Sequence, residues 1–238
     1  MKDKTFWENW SKKHKGLSAV IIASKPIVMY RNFLENIVFN YVKLNKNDNI
    51  LEIGCGNGRW IRRLENKGFE NLTGIDFSKN LIKEAKRYSK AKFYVMNSAR
   101  LKFKNKSFDT TLILLVLPHT DWNIFKKTLQ EAARVTKNKI IIMDEPYTLG
   151  SVWNINDIKN ILKDFKLVKI KAVRTELLTR ILRREPNVSK IKKEDVSVKD
   201  NYFKSFVKIL FEFPIDLFCM IFNYHKIAFE KLMIFEKK

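Results

Sequence analysis

Of the seven glycines in this 238-residue chain, three stand at alternate positions, Gly54, Gly56 and Gly58, inside the stretch NILEIGCGNGRW from Asn49 to Trp60. The apolar residues around Glu52 read as a strand. Where that strand ends, the missing side chains let backbone pass directly against a ligand. Arg59 to Asn66 reads as a helix, so its free N–H groups face the same crevice. A strand, a bare turn and a helix in succession constrain the chain to a layered α/β fold.

The pattern repeats downstream. Leu72 to Phe77 is a second short strand ending in Asp76, about twenty residues after the first loop, where doubly wound folds place an acid for ribose hydroxyls. A plain turn or cap residue is the other reading of Asp76. Ser78 caps a helix through Ser89, with Leu81, Ile82 and Ala85 on one face. Lys92 to Met96 reads as a third strand, and a buried fourth follows before LPHT. Asp121 to Val135 reads as a helix, and Ile140 to Met143 as a strand buried on both faces. Ile155 to Phe165 is predicted helical and Leu167 to Val173 extended. The alternation from 50 to 174 predicts a parallel sheet with right-handed crossovers.

The glycine spacing narrows the ligand. A dinucleotide fingerprint runs G-x-G-x-x-G; here the third glycine comes one residue early, so a dehydrogenase is not expected. E-x-G-x-G-x-G instead resembles motif I of the class I S-adenosylmethionine (SAM) methyltransferases. Residues 96 to 119, MNSARLKFKNKSFDTTLILLVLPH, resemble that family's G-D-A-x-x-L-P-F…F-D followed by a buried strand. Arg134 to Lys137 resemble its R-V-L-K. Met96, Asn97, Lys102 and the Asn138-Lys139 pair, which replaces Pro-Gly-Gly, depart from the pattern. The resemblance is to the large type 11-like group of small-molecule methyltransferases and covers residues 45 to 145.

That resemblance implies a Rossmann-like doubly wound sheet, mostly parallel with an antiparallel last strand, plus N-terminal helices and a helical insertion before that strand. It implies SAM as cofactor. Gly54, Gly56 and Gly58 would shape the methionine and ribose pocket, Glu52 would support the loop, and Asp76 would bind the ribose. Asn97 stands where an acid usually meets the adenine amino group, and its carbonyl oxygen still accepts a hydrogen bond. Cys55, Phe77, Ser98 and Leu115 complete the cofactor set. Methyl transfer needs alignment rather than a metal, and the sequence holds no metal-ligand cluster. A hydroxyl nucleophile needs a base; His119 is the candidate, with a solvated or helix-capping histidine as the alternative. Asp144, Glu145 and Tyr147 edge the same crevice. The D/N-P-P-Y motif of adenine and cytosine N-methylases is replaced by LPHT, which argues against those targets.

Residues 1–44 are expected to form a helical lid. Ile27, Tyr30, Phe33, Leu34, Ile37, Val38 and Tyr41 share one face, and Trp7, Trp10 and His14 lie at helical spacing. Plain packing on the sheet is the alternative. Residues 45–174 form the SAM-binding core and 227–238 its last strand. Between them, 175–226 is an insertion: a basic amphipathic helix ended by Pro186, a polar loop, then the aromatic-rich 202–224. There Lys204, Lys208, Glu212 and Asp216 make one narrow polar stripe, and Pro214 is expected to kink the helix. Its apolar surface has three candidate partners: its own domain, a second copy in a homodimer, or an anionic membrane surface.

Net charge is +22, from 47 Lys and Arg against 25 Asp and Glu. Such a field attracts phosphates of RNA, lipid or metabolite; a compositional bias explains it equally well. No run of about eighteen apolar residues suggests a membrane span, and the N-terminus lacks a signal-peptide core. Cys55 and Cys219 fit a reducing cytoplasm. The reading is a cytoplasmic or membrane-peripheral methyltransferase transferring to O or N of a small-molecule or lipid-linked acceptor. The alternatives are an RNA methyltransferase and a non-catalytic subunit of the same fold.

Overall fold

In the computed structural model of the protein, residues 42–117, 120–144, 154–174 and 230–238 are described, with single positions at 9, 30, 33, 36, 40, 210, 213 and 214. The elements are β1 (Ile50–Ile53), α1 (Arg59–Glu65), β2 (Leu72–Asp76), α2 (Lys79–Tyr88), β3 (Lys92–Val95), β4 (Phe108–Leu114), α3 (Trp122–Val135), β5 (Thr136–Asp144), α4 (Ile155–Ile161), β6 (Phe165–Arg174) and β7 (Glu230–Lys237). They build one seven-stranded sheet in the order β3-β2-β1-β4-β5-β7-β6. β1 to β5 run parallel. β7 runs antiparallel to both its neighbours and fills the slot between β5 and β6.

The strands β1 and β4 are buried on both faces because helices cover both faces. Alternation sorts their side chains into two cores. Ile50, Leu112, Ile141 and Leu232 join Trp60, Leu64 and Ile82 of α1 and α2. Leu51, Ile53, Ile113, Ile142 and Met233 join Phe125 and Leu129 of α3 and Ile158 of α4. Helix starts follow local chemistry. Ser78 Oγ accepts from Leu81 N–H (3.4 Å) at α2, and Asp121 Oδ1 accepts from Ile124 N–H (2.8 Å) at α3. Asn154 and Asp157 form a capping box at α4.

Two boundaries differ from expectation. α4 stops at Ile161 rather than continuing to Phe165. Leu162 and Phe165 are both buried, at a spacing that imitates a helix, but Phe165 N–H turns back to the Leu162 carbonyl (2.9 Å) and the chain enters β6. β5 begins at Thr136 rather than 140, directly from α3. The Thr136 hydroxyl donates to the Ala132 carbonyl (2.6 Å) and lies 2.6 Å from the Thr111 hydroxyl. A register shift between Phe108 and Thr110 absorbs the extra length.

The added segments meet the domain at some of their described positions. Tyr30 and Val42 are buried in the first core. Leu210, Phe213 and Pro214 are helical; the expected kink at Pro214 involves neighbours outside the described residues. The Phe213 ring packs 6.1 Å from Tyr30, edge-on, and 6.1 Å from Phe33. At Phe213, then, the insertion is packed on its own domain. Leu210 is exposed. The remaining expectations for 1–44 and 175–226, including Trp7, Trp10, His14 and the polar stripe, lie outside the described residues. Among the described residues, no helix is long and apolar enough to cross a membrane.

Candidate active site

β2 and β3 lie on one side of β1, and β4 and β5 on the other. This reversal opens a crevice at the carboxyl ends of the strands. Glu52, Gly54, Cys55, Gly56, Gly58, Asp76, Phe77, Asn97, Ser98 and Leu115 all stand at the carboxyl ends of β1 to β4.

Gly54, Gly56 and Gly58 have φ of 72°, 54° and 76°, a region that side chains avoid. A Cβ at Gly54 would also lie 2.5 Å from Val116 Cγ2. Backbone bonds draw the loop onto β2: the N–H groups of Gly54 and Cys55 both donate to the Ile75 carbonyl, at 2.8 and 2.9 Å. Asp76 completes the clamp. Its Oδ2 accepts from Gly56 N–H (3.0 Å) and its Oδ1 from Ser78 N–H (2.8 Å). The sequence signals Asp76 through its distance from the first loop; it does not signal this clamp.

Glu52 is buried beneath the loop. Gly58 offers no side chain to cap α1, and the Glu52 carboxylate accepts the N–H of Ile61 in its place. Its Oε2 has no hydrogen-bond partner among the described residues. Burial pushes the carboxyl up to about 8; Arg59 pulls it down and Asp76 pushes it further up. The Cys55 thiol faces the core, where its Sγ would lie 2.9 Å from a Cβ at Gly74. Burial, aided by Glu52 and Asp76, holds that thiol well above the usual range. Only the Cys55 backbone belongs to the loop.

Across β2, Asn97 is exposed and its Oδ1 accepts from Ala99 N–H (2.8 Å). It lines an open groove of about 460 Å³ with Arg100, Ile124 and Lys127. The Ser98 hydroxyl lies 2.8 Å from that of Thr128. Arg134 secures the loop beyond: it donates to Leu101 and Phe103 carbonyls (3.1 and 2.9 Å) and pairs with Glu131 (2.8 Å). Glu131 in turn accepts from Leu101 N–H (2.6 Å).

On the β4 side, Leu115 is half-buried at φ 62°. Asp144 is fully buried, and its Oδ2 accepts from Val116 and Leu117 N–H at 3.2 and 2.8 Å. Sequence reasoning placed Asp144 at the crevice edge without this contact, which no local pattern announces. His119, Glu145 and Tyr147 lie outside the described residues. Among the described residues, no three His, Cys, Asp or Glu side chains gather as a metal site.

Residues 50–139 match the family model for a methyltransferase domain. The strand order and the glycine loop agree with that match, and the class they point to is the methyltransferase domain with a class I, Rossmann-like fold. It is 34% identical over 147 residues to the uncharacterized protein MJ1252 of Methanocaldococcus jannaschii, covering 59% of this chain and 54% of that protein. It is 30% identical over 123 residues to the malonyl-[acyl-carrier protein] O-methyltransferase of Buchnera aphidicola, covering 51% and 48%. The chain thus spans about half the length of the curated relatives it matches. Among solved structures it resembles in fold the magnesium protoporphyrin IX methyltransferase of Synechocystis with bound SAH. The TM-score is 0.60 and the identity 15%, covering 99% of this chain and 95% of that one.

Proposed function

We propose that the chain is an active SAM-dependent methyltransferase acting on a small-molecule or lipid-linked acceptor through a hydroxyl, carboxyl or amine. The observation that carries the cofactor reading is the clamp of Asp76 on Gly56 N–H. It holds a side-chain-free loop and an oriented carboxylate side by side at the switch point. Three glycines at positive φ leave the backbone of the loop bare, and the buried Glu52 beside Arg59 and Asp76 ties it to the start of α1. When bound, the cofactor supplies an electrophilic methyl group; the protein's task is alignment and exclusion of water. Asp76 would receive the ribose hydroxyls and Asn97 the adenine amino group. The backbone of Gly54, Cys55, Gly56 and Gly58 would follow the amino-acid portion, with Phe77, Ser98 and Leu115 around the base and sulfur. His119 is the proposed base for an acceptor hydroxyl.

For the acceptor, support comes from two places. The Buchnera relative is named for a carrier-linked carboxylate. The meeting of Phe213 with Tyr30 and Phe33 gives an apolar cover suited to an acyl or prenyl group. A second reading, RNA, is favoured by one stretch. From Lys86 to Lys106 the chain carries Lys86, Arg87, Lys90, Lys92, Arg100, Lys102, Lys104 and Lys106 with no acid between them. Tyr88 and Tyr94 are exposed there, a combination that suits single-stranded RNA.

The test is calorimetric titration of the protein with SAM and S-adenosylhomocysteine, beside Asp76→Ala. Micromolar binding that the variant loses is the expected result and opens a screen of lipid extracts, then RNA. A folded wild-type protein that binds neither compound would overturn the reading in favour of a non-catalytic subunit.

A further inference from the structure

β4 leaves the sheet abruptly. Its last ladder bond to β5 runs from Leu115 N–H to the Met143 carbonyl (2.7 Å). Leu115 then turns to φ 62°, where a branched aliphatic side chain is rarely found. The next two N–H groups have left the ladder and need acceptors. Both find the same one, Asp144 Oδ2, at the end of β5. A side-chain carboxylate thus replaces the carbonyls that the departing strand gives up.

The turn it holds is not remote from the glycine loop. Val116 is the residue whose Cγ2 would lie 2.5 Å from a Cβ at Gly54. On the other side, Asp144 stands opposite Lys231 of β7 in the register, and both are buried. A line of contacts therefore runs from the β5–β7 pair through one carboxylate to the turn, and from the turn to the loop.

We infer that Asp144 is a positioning residue for methyl transfer: its carboxylate keeps the 115–117 turn in its left-handed form and so fixes the wall that Val116 presents to the glycine loop. Asp144 is fully buried, so it reaches the loop through that turn rather than by touching a ligand. The inference rests on the reading that the glycine loop holds the cofactor.

Binding of S-adenosylhomocysteine, amide hydrogen exchange at Val116 and Leu117, and thermal unfolding test it on Asp144→Asn, Asp144→Ala, Leu115→Gly and Asp144→Ala with Leu115→Gly. Asparagine retains an acceptor oxygen, so Asp144→Asn is expected to bind within about threefold of wild type. Asp144→Ala is expected to bind about tenfold more weakly and to exchange both amides faster. Glycine adopts positive φ freely, so, measured against Leu115→Gly alone, which accounts for the lost Leu115 contact, the Asp144→Ala change in the double variant should weaken binding much less than it does in wild type, while the thermal stability stays lowered. A merely structural aspartate would not respond to glycine at 115. Val116→Ala leaves the Asp144 bonds intact and should still weaken binding severalfold, which keeps the inference testable if Asp144→Ala does not fold. Asp144→Ala binding as wild type while Asp76→Ala loses binding would overturn the inference alone. So would a double variant that falls as far below Leu115→Gly alone as Asp144→Ala falls below wild type, or a Val116→Ala variant that binds normally. Normal binding by both Asp76→Ala and Asp144→Ala would overturn the pocket reading and the inference together.

Discussion

Glu52 links the glycine loop to pH. In the unfolded chain its carboxyl ionises near 4.5, and in the folded protein near 8. Between those values the folded protein holds a proton that the unfolded chain has released. Stability therefore falls as pH rises through this window, by up to about 1.4 kcal/mol per pH unit, and the loss is complete above about 8. Glu52→Gln removes the titration, so its denaturant midpoint should drop less than wild type's between pH 5 and 8; parallel profiles would refute this. At this scale the sequence was partly legible. The glycines and Asp76 announce themselves by spacing, since strand-end loops recur at set distances. Asp144 and Leu115 do not, because their roles arise only when β4 and β5 lie side by side.

Among the elements, the stretch from Leu101 to Asn105 has no regular structure of its own and is held by α3. Arg134 spans it with bonds to two carbonyls and to Asn105 Oδ1 (2.8 Å), and Glu131 fixes its start. Hydrogen bonding to Arg134 lowers the Glu131 carboxyl and raises the Arg134 guanidinium. Arg134→Ala is expected to cost about 1.5–3 kcal/mol, read as a lower urea midpoint, with faster proteolysis near Lys102 and Lys104. An unchanged midpoint would show the tether to be ornamental. Helices with a capping residue and an amphipathic stripe were legible as to type. The ends of α4 and the start of β5 were not: buried Leu162 and Phe165 keep a helical spacing past the helix, and Thr136 trades a turn for strand pairing.

At the scale of the whole molecule, a ligand that binds only the folded state stabilises it by mass action. S-adenosylhomocysteine at a hundred times its dissociation constant should raise the unfolding free energy by about 2.7 kcal/mol, seen as a higher melting temperature in wild type and none in Asp76→Ala. Equal shifts in both would place the ligand elsewhere. Periodicity predicts the alternation of strands and helices; the strand order and the reversed last strand came from the family resemblance, since no local pattern fixes which strands are neighbours. That order bears on how the protein is made. β5 and β6 leave the ribosome well before Glu230–Lys237, yet they meet only through β7. Until that strand arrives, β5 ends the sheet with a bare apolar edge, of the kind that recruits other chains. The newborn domain therefore depends on shielding during synthesis, and a cell short of chaperones should lose it to aggregation before its sheet can close.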